Sequence, residues 1–458
     1  MIGFSDLQFI FRFVPVFLII FYLTPVKYRT WIIVLGSYVF YAAADINYIW
    51  LLLLATLFNF FVGKAVFNNK KAYLVIGVVF DAALLIICKA FGLLVLNGLL
   101  PIGISFYTFK MISYQVDLYT GKISLKPTLK DTLAYFSMFP QITSGPIMRY
   151  SQFTENKMLD KRKFEGTTFK DNIGVYLDNV EEGLRYFIMG LAMKVIIADH
   201  LAMCFKEIGT IGYESISTPL AWFGAVVYSL NLYFDFWGYS LMAAGVGVAM
   251  GFPFILNFDH PYSAVGVASF YRKWHVTLGT WFRDYIYIPL GGNRKGTLST
   301  IFNLFVVWLI TGLWHGVTFN FVLWGLSLFV IIVFEKYVLS KNSKVMQVVG
   351  RFNVLVLIPL TWVVFALSKV QDLTNYFGRL IPLFGSGINV NTSDIYKFID
   401  NYGWYTLLGL VFLIPGIYDF VDKNRKHKAF TVVFFVLFWL CVYSISNAAG
   451  NPFMYLRF

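Results

Sequence analysis

From Ile301 to Phe329 the chain carries no lysine, arginine or carboxylate. Long apolar stretches recur from one end of the sequence to the other, and they leave few folds open. Inside a bilayer no water is available to pair backbone N–H and C=O groups, so each stretch must satisfy its own, as a helix does. About 20 mostly apolar residues suffice to cross the hydrocarbon. Candidate spans fall near 7–25, 30–46, 48–67, 72–95, 100–116, 131–148, 183–205, 219–237, 238–256, 298–318, 319–338, 351–370, 404–421 and 429–446. Several are short or interrupted. Pro101-Ile102-Gly103, Pro140 and Gly145-Pro146 predict broken or re-entrant pieces, which membranes tolerate only where protein or a wet cavity surrounds them. The expectation is an all-α polytopic membrane protein of about eleven or twelve transmembrane helices with re-entrant or short helices, in one domain over 1–458.

Composition agrees. Of 458 residues 58% are hydrophobic, 20% aromatic and 13% charged, against roughly 45–50% apolar and 25% charged in soluble domains. The first apolar stretch, Phe9 to Leu23, follows no basic segment and precedes no small-residue cleavage site, so it reads as a retained span. Cys88, Cys204 and Cys441 are scattered, with neither disulfide-framework nor metal spacing. The net charge of +13 fits the positive-inside bias and anionic lipid headgroups, with no nucleic acid called for. By that bias Lys27 and Arg29, Lys70 and Lys71, Lys161-Arg162-Lys163, Arg272-Lys273, Arg294-Lys295, Lys341 to Arg351 and Lys423 to Lys428 face the cytoplasm. The acidic and basic residues between Arg149 and Glu182 read as a solvated loop.

Titratable groups inside membrane segments are costly and therefore informative. Asp81 and Lys89 lie two helical turns apart and suit a structural role. Asn231 and Asp235, at i and i+4, face one way and must meet a partner or a cavity. His275 lies in "FYRKWHVTLGTWFRDY", where Trp274, Leu278, Trp281 and Tyr285 would share one face of a short helix of about fifteen residues, ended by Pro289 and Gly291-Gly292-Asn293. Arg283 and Asp284 would lie near the cytoplasmic mouth of whatever His275 lines. His315 lies in the uncharged stretch itself, between Gly312 and Gly316, a pair that lets another helix or a ligand approach. An imidazole takes and returns a proton near pH 7 with little adjustment. Two such histidines about forty residues apart can converge on one buried site.

The runs "FDFWGYSLMAAGVGVAMGF" (234–252), "NFDHPY" (257–262), "YRKWHVTLGTWFRDYIYIPLGGNRKG" (271–296) and "TGLWHGVTFNFVLWG" (311–325) resemble the membrane-bound O-acyltransferase family, in particular its branch of alginate O-acetyltransferase membrane subunits. "LPIGISFYTFKMISYQVDLYTG" (100–121), "FPQITSGPIMRYSQF" (139–153) and the terminal "FMYLRF" (453–458) fit the same pattern. The resemblance implies a bundle around a central tunnel, with a core motif region over 230–330. His315 and His275 would be the catalytic pair. Trp274, Trp314, Asn231, Asp235, Tyr239, Ser240, Arg283, Asp284 and Asn320 would line the substrate path, and Arg149, Arg272, Lys273 and Arg294 would meet the donor's phosphates. The implied donor substrate is acetyl-CoA, with no bound cofactor and no metal. The implied partners are membrane lipid, a polysaccharide acceptor and an extracytoplasmic SGNH-type acetyltransferase. Competing readings are D-alanyl transfer from a carrier protein to teichoic acid, a transporter of lipid-linked sugar, and a scaffold that only recruits a secreted transferase. No P-loop, dinucleotide fingerprint, HExxH or G-x-S-x-G context appears.

Overall fold

The computed structural model describes residues 3–94, 100–339, 344–381 and 391–447; the "FMYLRF" segment lies outside them. Helices are the only regular structure among the described residues. By backbone contacts the chain divides into two compact units. One holds the residues up to Leu191, then Gly238–Leu256 and the stretch from Phe434; the other holds Ala192–Trp237 and Asn257–Val433.

Seven helical stretches among the described residues are long and apolar enough to cross a membrane: Val26–Phe67, Lys71–Ala90, Phe169–Ile211, Thr297–His315, Phe319–Tyr337, Lys344–Ala366 and Lys428–Asn447. This is fewer than the eleven or twelve expected from hydropathy, for identifiable reasons. Val26–Phe67 contains two helices, Val26–Asp45 and Ile49–Phe67, separated by a 3-10 turn after a non-helical Asp45 at φ −158 and ψ 83. Phe9–Leu23 is an apolar helix too short to count, stopped by extended backbone at Thr24 before Pro25. Ile104–Tyr119 has 16 residues. The Thr218–Ala249 helix is long, at 32 residues, but its asparagine, aspartate, tyrosines and glycines dilute its hydropathy. Asp394–Phe412 and Pro415–Asn424 form one broken pair, bent by 77° at Pro415, whose ring cannot continue the helix.

Within the first unit, interruptions lie where prolines and glycines predicted them. The short helix Leu129–Ser137 is buried from Thr132 onward, and Phe139–Ile142 is buried throughout. Gly103, at φ +70, starts the Ile104–Tyr119 helix so close to the 142 peptide that a Cβ would lie 1.9 Å from the Ile142 carbonyl oxygen. The Phe169–Ala192 helix crosses Gly238–Ala249 backbone to backbone. A Cβ at Gly190 would lie 2.3 Å from the Gly238 oxygen, and one at Gly183 2.4 Å from that of Gly245. Asp81 has the structural role expected of it, accepting from Asn59 Nδ2 at 2.7 Å, while Gln115 donates to Asn59 Oδ1 at 2.8 Å.

Within the second unit, the Thr297–His315 and Phe319–Tyr337 helices pack through reciprocal glycines. A Cβ on Gly312 would lie 2.6 Å from the Phe321 carbonyl oxygen, and one on Gly325 2.6 Å from that of Trp308. Close backbone approach of this kind substitutes van der Waals contact for the hydrophobic drive that lipid cannot supply. The expected closeness at Gly312 is thus found.

Candidate active site

His275 does not sit within one helix of fifteen residues. The segment is two helices of seven residues each, Val267–Lys273 and Val276–Phe282, and His275 is the left-handed hinge between them at φ 46 and ψ 55. Trp274 therefore leaves the face shared by Leu278 and Trp281. Left-handed backbone costs a non-glycine residue about 1–2 kcal/mol, and bonds to Asn257 offset it. The Asn257 carbonyl accepts from Val276 N–H at 2.8 Å. The Asn257 side-chain Oδ1 accepts from Thr277 N–H at 3.3 Å and from Thr277 Oγ1 at 2.9 Å, and lies 3.0 Å from His275 Nδ1.

Those bonds determine the tautomer. A backbone N–H can only donate, so the Asn257 atom that meets Thr277 N–H is the acceptor oxygen. His275 Nδ1 must then carry the proton, which leaves Nε2 as a bare lone pair. Nε2 is buried and has no hydrogen-bond partner among the described residues. The residue is only 5% exposed, and burial pushes this imidazole, which lies outside the spanning helices, down to about 3. It is a neutral hydrogen-bond acceptor. Phe236 holds the ring edge to face at 4.7 Å.

His315 is the last residue of the Thr297–His315 helix, which ends at Gly316, and is 9% exposed. Aromatic rings wall its imidazole: Trp324 at 5.3 Å, Phe365 at 4.9 Å and Phe321 at 6.0 Å. Asn320 sets this wall. Its Nδ2 donates to the Phe365 carbonyl at 2.8 Å, and its Oδ1 accepts from Thr318 Oγ1 at 2.7 Å. The two imidazoles do not touch. Trp274, beside His275, packs tilted against Trp362 at 4.9 Å, Trp362 stacks on Trp324 at 5.6 Å, and Trp324 meets His315 edge to face. Three indoles thus connect the two sides.

The remaining predicted residues divide. Asp235 is buried and engaged by Lys194 Nζ at 2.9 Å, and the same ammonium also pairs with the partly exposed Asp199. Asn231 is buried one turn earlier. Tyr239 and Ser240 belong to the first unit, where Tyr239 stacks on Phe4 at 4.9 Å and bonds Thr143 through its hydroxyl. Trp314 is buried, its indole 4.5 Å from the His315 ring. Arg283 pairs with Asp284 at 2.8 Å on an open surface. Of the proposed phosphate contacts, Arg272 and Arg294 are exposed and Lys273 pairs with Asp259 at 3.3 Å, all in the second unit, while Arg149 belongs to the first. Among the described residues no cluster of His, Cys, Asp and Glu could hold a metal ion.

The sequence profile of the membrane-bound O-acyltransferase family matches residues 37–344, a stretch that contains both histidines. The chain belongs to this family. A protein of Pseudomonas fluorescens named "Probable alginate O-acetylase" is 37% identical over 391 residues, covering 82% of this chain and 75% of that one. The peptidoglycan O-acetyltransferase of Helicobacter pylori is 34% identical over 373 residues, 70% of this chain and 68% of its own. The teichoic acid D-alanyltransferase of Streptococcus thermophilus is 26% identical over 245 residues, 49% of this chain and 54% of its own. This membrane-bound O-acyltransferase is a multi-pass protein of the cell membrane.

Three groups of residues around the site of this O-acyltransferase are not among those its sequence singled out. Asn257 lies inside the "NFDHPY" motif, but nothing in the spacing joins it to His275. Lys194 had a signal, being a lysine in the apolar stretch 183–205, and the rule that singled out Asp235 applies to it equally. Trp362 and Phe365 carry none, because an aromatic in an apolar helix reads as core.

Proposed function

We propose that this enzyme takes an acetyl group from acetyl-CoA on the cytoplasmic side and passes it toward hydroxyls of a polysaccharide beyond the membrane, with an SGNH-type transferase outside the cytoplasm completing its placement. The observation that carries the reading is the contrast among relatives. Those named for O-acetylation match over 70–82% of the chain at 34–38% identity, whereas those named for D-alanyl transfer match over 49% at 26–28%.

Moving an acyl group from thioester to hydroxyl needs a base more than it needs driving force. His315 accepts the hydroxyl proton, the oxygen attacks the thioester carbonyl, and collapse of the tetrahedral intermediate expels the thiolate, which takes that proton back. A positioned base contributes about 10²–10⁴-fold. His275 orients rather than stabilises the oxyanion. Its available nitrogen is a lone pair, suited to an amide N–H of the donor's pantetheine arm and repelled by developing negative charge. Arg272 and Arg294 are the arginines of the second unit free to reach the donor's phosphates.

The test uses proteoliposomes with labelled acetyl-CoA, the partner transferase and polysaccharide. Wild type is expected to transfer label and His315→Ala to lose it. Label arriving only from an alanyl-loaded carrier would establish D-alanyl transfer instead, and full activity in His315→Ala would leave the chain a scaffold.

A further inference from the structure

The first unit contains a cavity of about 410 Å³ that the acyl-transfer reading does not use. Lys27, Arg29 and Lys161 line it, together with Thr24, Thr167 and Asn172, and no carboxylate does. Tyr22, Leu23, Phe164 and Phe169 supply apolar walls. Arg29 is 2% exposed. Its Nε donates to the Thr24 carbonyl at 3.1 Å, Nη1 to that of Met158 at 3.2 Å, and Nη2 to that of Tyr22 at 3.2 Å and to Tyr176 Oη at 2.9 Å. The Tyr176 ring lies 4.8 Å from the guanidinium.

Every acceptor given to Arg29 among the described residues is neutral. The guanidinium is therefore held in place without a counter-ion, although buried charges are ordinarily paired. Two further lysines at the same cavity add positive charge instead of cancelling it. Such a lining is complementary to an anion.

The surroundings say which anion. The Val14–Leu23 helix runs into the cavity and exposes Ile19, Ile20 and Leu23 by 59%, 46% and 64%, an apolar surface that meets lipid tails in a membrane. Lys27 and Arg29, in the first turn of the Val26–Asp45 helix, and Lys161-Arg162-Lys163, in a 3-10 turn, are among the residues that the positive-inside bias places at the cytoplasmic side, where anionic lipids concentrate. A soluble phosphate would gain nothing from that apolar strip. A phospholipid uses both parts.

We propose that this cavity binds the phosphate of an anionic phospholipid of the cytoplasmic leaflet, with its acyl chains lying along Ile19, Ile20 and Leu23. The site is separate from the acyl-transfer reading and stands or falls without it. Native mass spectrometry of the full chain in detergent, with equal phosphatidylglycerol and phosphatidylcholine added, is the test. Wild type is expected to retain phosphatidylglycerol in preference by about tenfold. The Lys27→Glu/Lys161→Glu variant changes two exposed side chains, leaves Arg29 in place, and should bring the preference to within about twofold. A charge-matched control, Lys70→Glu/Lys71→Glu, should keep it. If the double variant does not fold, Lys161→Gln alone should lower the preference about threefold to fivefold. Equal retention of the two lipids by wild type, or unchanged preference in the variants, overturns the proposal. Displacement of bound phosphatidylglycerol by millimolar inorganic phosphate or acetyl-CoA overturns it too, in favour of a soluble anion.

Discussion

His275 and His315 occupy the same unit and are held in opposite ways. His275 is a strained hinge between two short helices, and Asn257 decides which nitrogen bears its proton. His315 ends a helix of 19 residues, and Trp324, Phe365 and Phe321 hold the plane of its ring by packing. A ring placed by a hydrogen bond has a chosen tautomer and little freedom to change charge. A ring placed by packing has a chosen position. That difference suits an orienting acceptor on one side and a base on the other, and it says which substitutions should injure each.

The largest effect should come at His315. His315→Ala is expected to lower acetyl transfer by about 10²–10⁴-fold while thermal unfolding changes little, measured as label transfer beside a melting curve. His275→Ala should act more through KM for the donor than through kcat. A kcat loss at His275 as large as at His315 would erase the distinction. Next in size is the support beneath His275. Phe236, which contacts its ring, directly follows Asp235, and Lys194→Met would leave the buried Asp235 carboxylate without its cation. The expected cost is about 3–5 kcal/mol, seen as a lowered Tm, and Lys194→Met/Asp235→Leu should recover most of it. If the double variant regains stability and transfers acetyl, Asp235 supports the site without touching substrate.

How much of this was legible beforehand follows the range of each interaction. Hydropathy located the apolar helices, and prolines and glycines located the breaks at Gly103, Pro140 and Gly145, because those signals are local. Hydropathy blurs where a helix is buried in protein and need not be apolar all round: the candidate spans 219–237 and 238–256 share the single helix Thr218–Ala249. The motif residues His275 and His315 were legible, but the turn at His275 was not. Helical periodicity through Trp274, Leu278, Trp281 and Tyr285 was overridden by bonds to Asn257, a residue on another segment whose approach no window reveals. That Asp235 must meet a partner or a cavity was legible, but which partner was not, since Lys194 comes from a different helix.

Two smaller effects sharpen the contrast further. On the His315 side, Gly325→Ala would place a Cβ 2.6 Å from the Trp308 carbonyl oxygen, so the two helices must part. Overpacking of this kind costs about 1–3 kcal/mol, and because Trp324 adjoins Gly325, transfer should fall with Tm while donor KM stays constant.

On the His275 side, the tautomer itself can be tested through pH. Because burial pushes His275 down to about 3, the folded protein keeps it neutral while an unfolded chain protonates it below about 6.5. Its contribution to stability is therefore complete above about pH 6.5 and is lost as pH falls toward about 3. Activity that needs the Nε2 lone pair should show no acid limb from His275 near neutrality. Asn257→Asp keeps the acceptor but adds a negative charge, which favours the imidazolium by about 1–3 pH units. An acid limb should then appear near about pH 4–6, and the acid loss of stability should become shallower. Asn257→Leu removes the acceptor, strands the Nδ1 proton at about 1–3 kcal/mol and lets the tautomer change, so donor KM should rise at every pH with no new limb. Profiles of kcat/KM against pH for the three proteins decide the matter. If the Asp and Leu variants behave alike, Asn257 serves only to shape the hinge, and the proton on His275 is placed by something else.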